Sequence, residues 1–238
     1  MYQMGFYYPF YYDPTYFLVL IGIILSLAAS MRVRSTFARY SNVRSLSGLT
    51  GAEAAERILH RAGIYDVTIE PVRGQLTDHY DPRKKVLRLS EPVYGSNSIA
   101  AIGVAAHECG HAIQHRNAYF PLKFRNALVP VANFGSAIAW PLIIIGLLFA
   151  GSQSLINLGI ILFATAVLFQ LVTLPVEYNA SKRAVRCLAD TGILHYEEVE
   201  HSKKVLNAAA LTYVAAAATS ILQLMRLILL FGGGRRRD

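Results

Sequence analysis

No lysine or arginine occurs before Arg32, and the whole chain has two cysteines and one tryptophan. Cys109 and Cys187 are isolated from one another in sequence, so no disulfide framework is expected to hold the fold together. Charged residues make up 16% of the 238 positions, against about 25% in soluble domains. They are absent altogether from four apolar blocks, 16–31, 127–150, 155–176 and 205–225. A bilayer core needs about 20 apolar residues of helix. The last three blocks meet that length, and aromatic residues at 6–12 extend the first into an interfacial belt. The missing charges also argue against a transporter or channel, which places ionisable groups deep within its spans.

The first block resembles a signal sequence only in length. A cleaved signal carries its positive charge in front, whereas here Arg32, Arg34, Arg39 and Arg44 all follow the block. A retained anchor is therefore expected. Of the 23 lysines and arginines, 14 lie in 32–126 and five more in 177–204. The positive-inside rule makes both stretches cytoplasmic and puts the N-terminus and the 151–154 turn outside. The fourth block conflicts with this rule, because crossing sends Arg235, Arg236 and Arg237 outward. Its length favours a span; its arginines and alanines leave open a segment lying partly within the protein at the membrane face. The net charge of +8 comes with no aromatic-interleaved basic stripe, so the bilayer rather than nucleic acid is the expected partner.

The resulting organisation has five parts. Residues 1–31 hold the aromatic segment and first transmembrane helix. A cytoplasmic region occupies 32–126, the second and third spans 127–176, a cytoplasmic segment 177–204, and the fourth membrane segment with its basic tail 205–238. Within the cytoplasmic region, 35–48 reads as a polar linker. Thr50 and Glu53 form a capping-box pattern that starts a helix ending at Gly63. Stretches 67–72 and 84–89 read as two short strands of a hairpin, separated by turn residues Gly74, Asp78, Asp81 and Pro82. Ser96 or Ser98 caps the next helix, which runs to about Arg116 and is stopped by Pro121.

That last helix carries His107-Glu108-Cys109-Gly110-His111, an H-E-x-x-H pentapeptide. Histidines four apart share one helical face and can reach one zinc ion, with the glutamate directed toward a water on it. Cys109 falls on roughly the opposite side and reads as a packing residue. A catalytic zinc site uses three protein ligands. His115 continues the same face but lies too far along the rise from His107 to share a tetrahedron. Glu177, just after Pro175 at the cytoplasmic end of the third block, is the stronger third ligand; an interfacial charge paired with Lys182 or Arg183 is its plain alternative. Glu108 then serves as general base and acid in peptide-bond hydrolysis. The 84–89 strand is a candidate edge for pairing an extended substrate, and Tyr213 or His79 a candidate donor to the developing oxyanion. A membrane scaffold or adaptor retaining a structural zinc is the rival reading.

The stretches 76–90, 104–115, 171–181 and 205–215 together resemble the neutral zinc metallopeptidases of bacterial membranes, the YugP-like family. The layout is also similar to the HtpX-like membrane proteases. These resemblances imply a mostly α fold: multi-pass membrane helices with a small α+β zincin-like catalytic region at the cytoplasmic face of a bacterial plasma membrane. They imply His107, His111 and Glu177 as zinc ligands, Glu108 as the catalytic residue, and a membrane-associated polypeptide as substrate. HtpX-like proteases place an aspartate four residues after the third ligand, where it orients a ligand histidine. Here Ser181 occupies that position, and Asn179 is a candidate substitute.

Overall fold

The computed structural model describes residues 13–149 and 152–232. The aromatic stretch 6–12, the first residue of the 151–154 turn and the arginines at 235–237 lie outside the described residues. The chain is mostly helical. Helix α1 (Tyr16–Ser41) begins in the first apolar block and continues through Arg32, Arg34 and Arg39 without interruption. No glycine or proline occurs in 23–41, so nothing breaks the ladder where the block ends. The first half of the expected linker is thus helical.

Helix α2 (Gly51–Arg61) starts at the capping box: Thr50 Oγ1 accepts from the Glu53 amide at 3.3 Å, and Glu53 Oε2 accepts from the Thr50 amide at 2.8 Å. Gly63, at φ +70°, turns the chain out of it. Strands β1 (Thr68–Val72), β2 (His79–Asp81) and β3 (Val86–Ser90) follow in the order β1-β3-β2. Two sequence expectations fail here. The pair formed by 67–72 and 84–89 is parallel, and the hairpin is made instead by β2 and β3. The 84–89 strand is therefore central, not an edge. Its apolar Val86, Leu87 and Leu89 are buried, as suits a strand flanked on both sides, and its backbone is already paired.

A short helix α3 (Glu91–Tyr94) leads into α4 (Ile99–Arg116), whose cap is Ser98, accepting from the Ala101 amide at 3.2 Å. Pro121 does not end α4. The break comes at 117–119, and Pro121 occupies the first turn of α5 (Phe120–Leu148), where its missing N–H costs nothing. Helix α6 (Gln153–Asp190) runs straight through Pro175, and α7 (Tyr196–Phe231) begins at a capping box built by His195 and Glu198. The same Glu198 carboxylate accepts the Leu46 amide at 2.8 Å, pinning the loop after α1. The expected boundaries at 126, 176 and 204 all fall inside helices.

Helices α1, α5, α6 and α7 are long and apolar enough to cross a membrane. α5 packs on α6, and α7 on both α1 and α6. Small residues set the α5–α6 approach, with Gly135 against the Leu162 carbonyl and Gly159 against that of Ala139. Arg226, the one cation late in the fourth apolar helix, is paired: its guanidinium reaches Asp13 Oδ2 at 3.0 Å and lies over the Tyr16 ring. The end of α7 thereby meets the start of α1, and the two run antiparallel. A second, protein-enclosed core gathers Ile58, Leu59, Leu87, Leu89, Ile102 and Leu188 around α4.

A candidate metal centre between α4 and α6

Thirteen of the eighteen α4 residues are buried, which requires small side chains wherever another helix presses close. Gly110 is where α6 presses on the α4 backbone. A Cβ there would stand 2.5 Å from the Ala180 carbonyl oxygen, so only glycine lets α6 come this near. The approach brings Glu177, one turn before Ala180, level with the two motif histidines.

His107, His111 and Glu177 offer one donor atom each, all within 4.8 Å of one another. Glu177 Oε2 is 3.2 Å from His107 Nε2 and 3.5 Å from His111 Nε2. Ligand bonds of about 2.0 Å arranged tetrahedrally put donor atoms about 3.3 Å apart, so the two distances to Glu177 match a zinc site, and all three donor atoms lie within 4.8 Å of one another. Glu177 is 3% exposed; a carboxylate that deep is stable only against cationic partners. The plain alternative for Glu177, pairing with Lys182 or Arg183, does not occur: Arg183 instead donates to Asn179.

The outer nitrogens of both histidines are engaged. His107 Nδ1 is 3.0 Å from Ser181 Oγ. His111 Nδ1 is 3.0 Å from Gln114 Oε1. Gln114 is fully buried, and its amide nitrogen donates to the Val176 carbonyl at 2.8 Å and to Asn179 Oδ1 at 3.0 Å. With both amide hydrogens turned toward oxygens, Oε1 must accept, so His111 donates from Nδ1, and Nε2 is the ring nitrogen directed at the triad. Asn179 thus acts on His111 through Gln114, a link that sequence reasoning missed. Gln114 follows His111 by three residues on the same face, which is the signal that could have found it. Burial disfavours the charged form of His111, but the Glu177 hydrogen bond and the neighbouring Glu108 charge outweigh it and raise its pKa.

Glu108, 8% exposed, opens onto two cavities on either side of the triad. The cavity beside His111, about 200 Å³, also holds Asp78, His79, Arg125 and Tyr213. His79 and Tyr213 therefore both line the site. Arg125 was not anticipated. It extends from the first turns of α5, with a guanidinium nitrogen 4.0 Å from Glu177 Oε1 and its Nε buried without a hydrogen-bond partner. Cys109 faces away, fully buried with Sγ toward the Ala55 carbonyl, and burial lifts its thiol pKa well above the usual range. His115 is bonded to the Tyr80 hydroxyl at 2.9 Å and stands apart from the triad.

Residues 15–232 match a family model described as "Putative neutral zinc metallopeptidase". A protein of Bacillus subtilis (strain 168) named "Putative membrane protease YugP" is 53% identical over 219 residues, covering 92% of this chain and 97% of that protein. No solved structure matches the chain.

Proposed function

The chain belongs to the neutral zinc metallopeptidase family, and from that premise we propose that it is a membrane-embedded endopeptidase, with Glu108 as its general base and acid. The observation that carries this reading is the triad spacing together with Glu108 on the same helix, opening on the same cavities.

His107 and His111, through Nε2, and Glu177, through Oε2, would hold the zinc that this family uses. Bound there, zinc supplies Lewis acidity that acidifies a water and polarises the scissile carbonyl. Ser181 and Gln114 hold the two imidazoles with their Nε2 lone pairs toward the ion. Glu108 takes the proton of the attacking water and returns it to the leaving amine. Tyr213, His79 and Arg125 are the donors near enough to the cavity beside His111 to stabilise charge on the former carbonyl oxygen. We assign this small α+β region a zincin-like architecture at the cytoplasmic face, supported by the clustering of basic residues in 32–126 and 177–204. The substrates are polypeptides at or in the membrane.

The test compares wild type with Glu108→Gln in detergent for zinc content and for cleavage of casein and a broad peptide library. Retained zinc with cleavage reduced at least about 10²-fold is expected. Absence of cleavage by the wild-type protein would instead favour a scaffold with a structural zinc. Glu177→Ala is expected to lower zinc affinity; unchanged affinity removes it from the ligand set.

A further inference from the structure

The cavity beside His107 shares Asp78, Glu108, Glu177 and Tyr213 with the one that holds Arg125, and Ser181 also lines it, but the rest of its wall is apolar. It measures about 130 Å³ and is walled by Val104 of α4, Leu206, Ala209, Ala210 and Tyr213 of α7, and Leu76 at its mouth. Glu108 and Glu177 open onto it from the side of the triad. An apolar cavity of about 150 Å³ accepts a benzene ring, so this one has room for a branched aliphatic side chain.

Leu76 is the telling residue. It is 54% exposed on the loop between β1 and β2, and its backbone is held at φ +57°. A left-handed conformation is uncommon outside glycine and strained for a leucine. Thr77 Oγ1 donates to the Arg73 carbonyl at 3.2 Å and closes the turn that holds this conformation, which places the exposed leucine against the cavity. Asp78, accepting from the Ser90 amide at 2.7 Å and from Ser90 Oγ at 2.9 Å, ties the far end of the same loop to β3 and fixes the rim's position.

We propose that this chamber is the specificity pocket of the site: it receives an aliphatic side chain of valine or leucine size next to the scissile bond, and Leu76 closes over it. The proposal deepens the peptidase reading and rests on it for the words "scissile bond", but the chamber's selectivity can be read without turnover. The pocket's walls come from α7 where that helix begins its apolar stretch, which suits a substrate segment leaving the bilayer with its aliphatic residues unburied.

Two measurements on the zinc-loaded protein test it. The first is binding of peptide hydroxamates that differ only in carrying glycine, leucine or tryptophan next to the zinc-binding group. The second is mass-spectrometric mapping of cleavage sites in a peptide library. Wild type should bind the leucine compound at least about 10-fold more tightly than the glycine one. Ala210→Leu, which fills the chamber, should remove that preference while glycine-compound affinity and zinc content hold. Leu76→Gly keeps the backbone conformation without strain and should weaken leucine-compound binding alone. Indifference of wild type to the side chain, or equal weakening of both compounds by Ala210→Leu, overturns the pocket. Selective binding without any cleaved peptide keeps the pocket and overturns the hydrolytic reading. Cleavage with no aliphatic preference at either flanking position does the reverse.

Discussion

Helices α4 and α6 each supply part of the triad, yet they use apolar residues in opposite ways. In α4 almost every apolar side chain is enclosed by protein, and burial there drives folding in the ordinary aqueous sense. In the first half of α6, Leu158, Ile161, Leu168 and Leu171 are exposed, on a helix long and apolar enough to cross a membrane, as residues facing lipid would be. The second half of α6 changes character: Val176, Glu177, Ala180, Ala184 and Leu188 turn inward against α4. One continuous helix thus passes from exposed to protein-packed apolar residues, and Glu177 stands just past the change. On the proposed reading, a ligand at that place would give the site a fixed relation to the membrane surface.

The largest effect that would break this contrast concerns the lipid face. Ile161 and Leu46 are both exposed leucine-like residues, at 63% and 77%. Ile161→Arg should cost about 3 kcal/mol of membrane insertion or stability, whereas Leu46→Arg should stay within about 0.5 kcal/mol. Equal tolerance in a thermal-stability assay in lipid nanodiscs would mean that the first half of α6 does not face lipid. Next in size, Gly110→Ala sets a methyl group against the Ala180 carbonyl. Because both sides of the clash are backbone-held, a cost near 3 kcal/mol is expected, exceeding the ~1 kcal/mol that alanine gains over glycine in a helix. Zinc affinity should fall with it as Glu177 is pushed from the histidines; unaltered zinc binding and melting temperature would show the helices to be less closely locked.

Two smaller effects sharpen the comparison at the histidines themselves. Gln114→Leu removes the buried amide behind His111 and leaves its Nδ1 without an acceptor, so zinc affinity measured by competition with a chelator should drop about 10- to 100-fold. Ser181→Ala removes only a neutral hydroxyl from a more open setting behind His107 and should cost less than Gln114→Leu. The reverse order would mean that Ser181, at the position of the carboxylate in HtpX-like proteases, carries the greater share of ligand orientation.

Much of the local structure was legible because it depends on neighbours in sequence. The capping box at Thr50, the cap at Ser98 and the turn at Gly63 are short-range hydrogen bonds and backbone preferences, and each lies where the residues predict it. The histidine pair is a matter of helical period. Strand pairing was misread because parallel and antiparallel partners present the same alternation, and only the position of β2 decides that β3 is central. Proline was misread at 121 because a proline after a helical stretch can either stop that helix or occupy the first turn of the next, as it does here. Arg125 and Gln114 escaped notice for a related reason: an arginine at a span's edge and a glutamine in a helix have no meaning until something packs against them.

By itself, then, the sequence determined four apolar segments, a helix with two histidines and a glutamate on it, and the membrane side expected for the basic stretches. These follow from length, period and charge, which need no contacts. Only the tertiary structure decided that Gly110 admits α6 to within a backbone's reach, which sets Glu177 and Ser181, already singled out in the sequence, against the histidines, and that Gln114 stands between His111 and α6. Those outcomes depend on distances between residues about seventy positions apart, and such distances are set by how small side chains let two helices close.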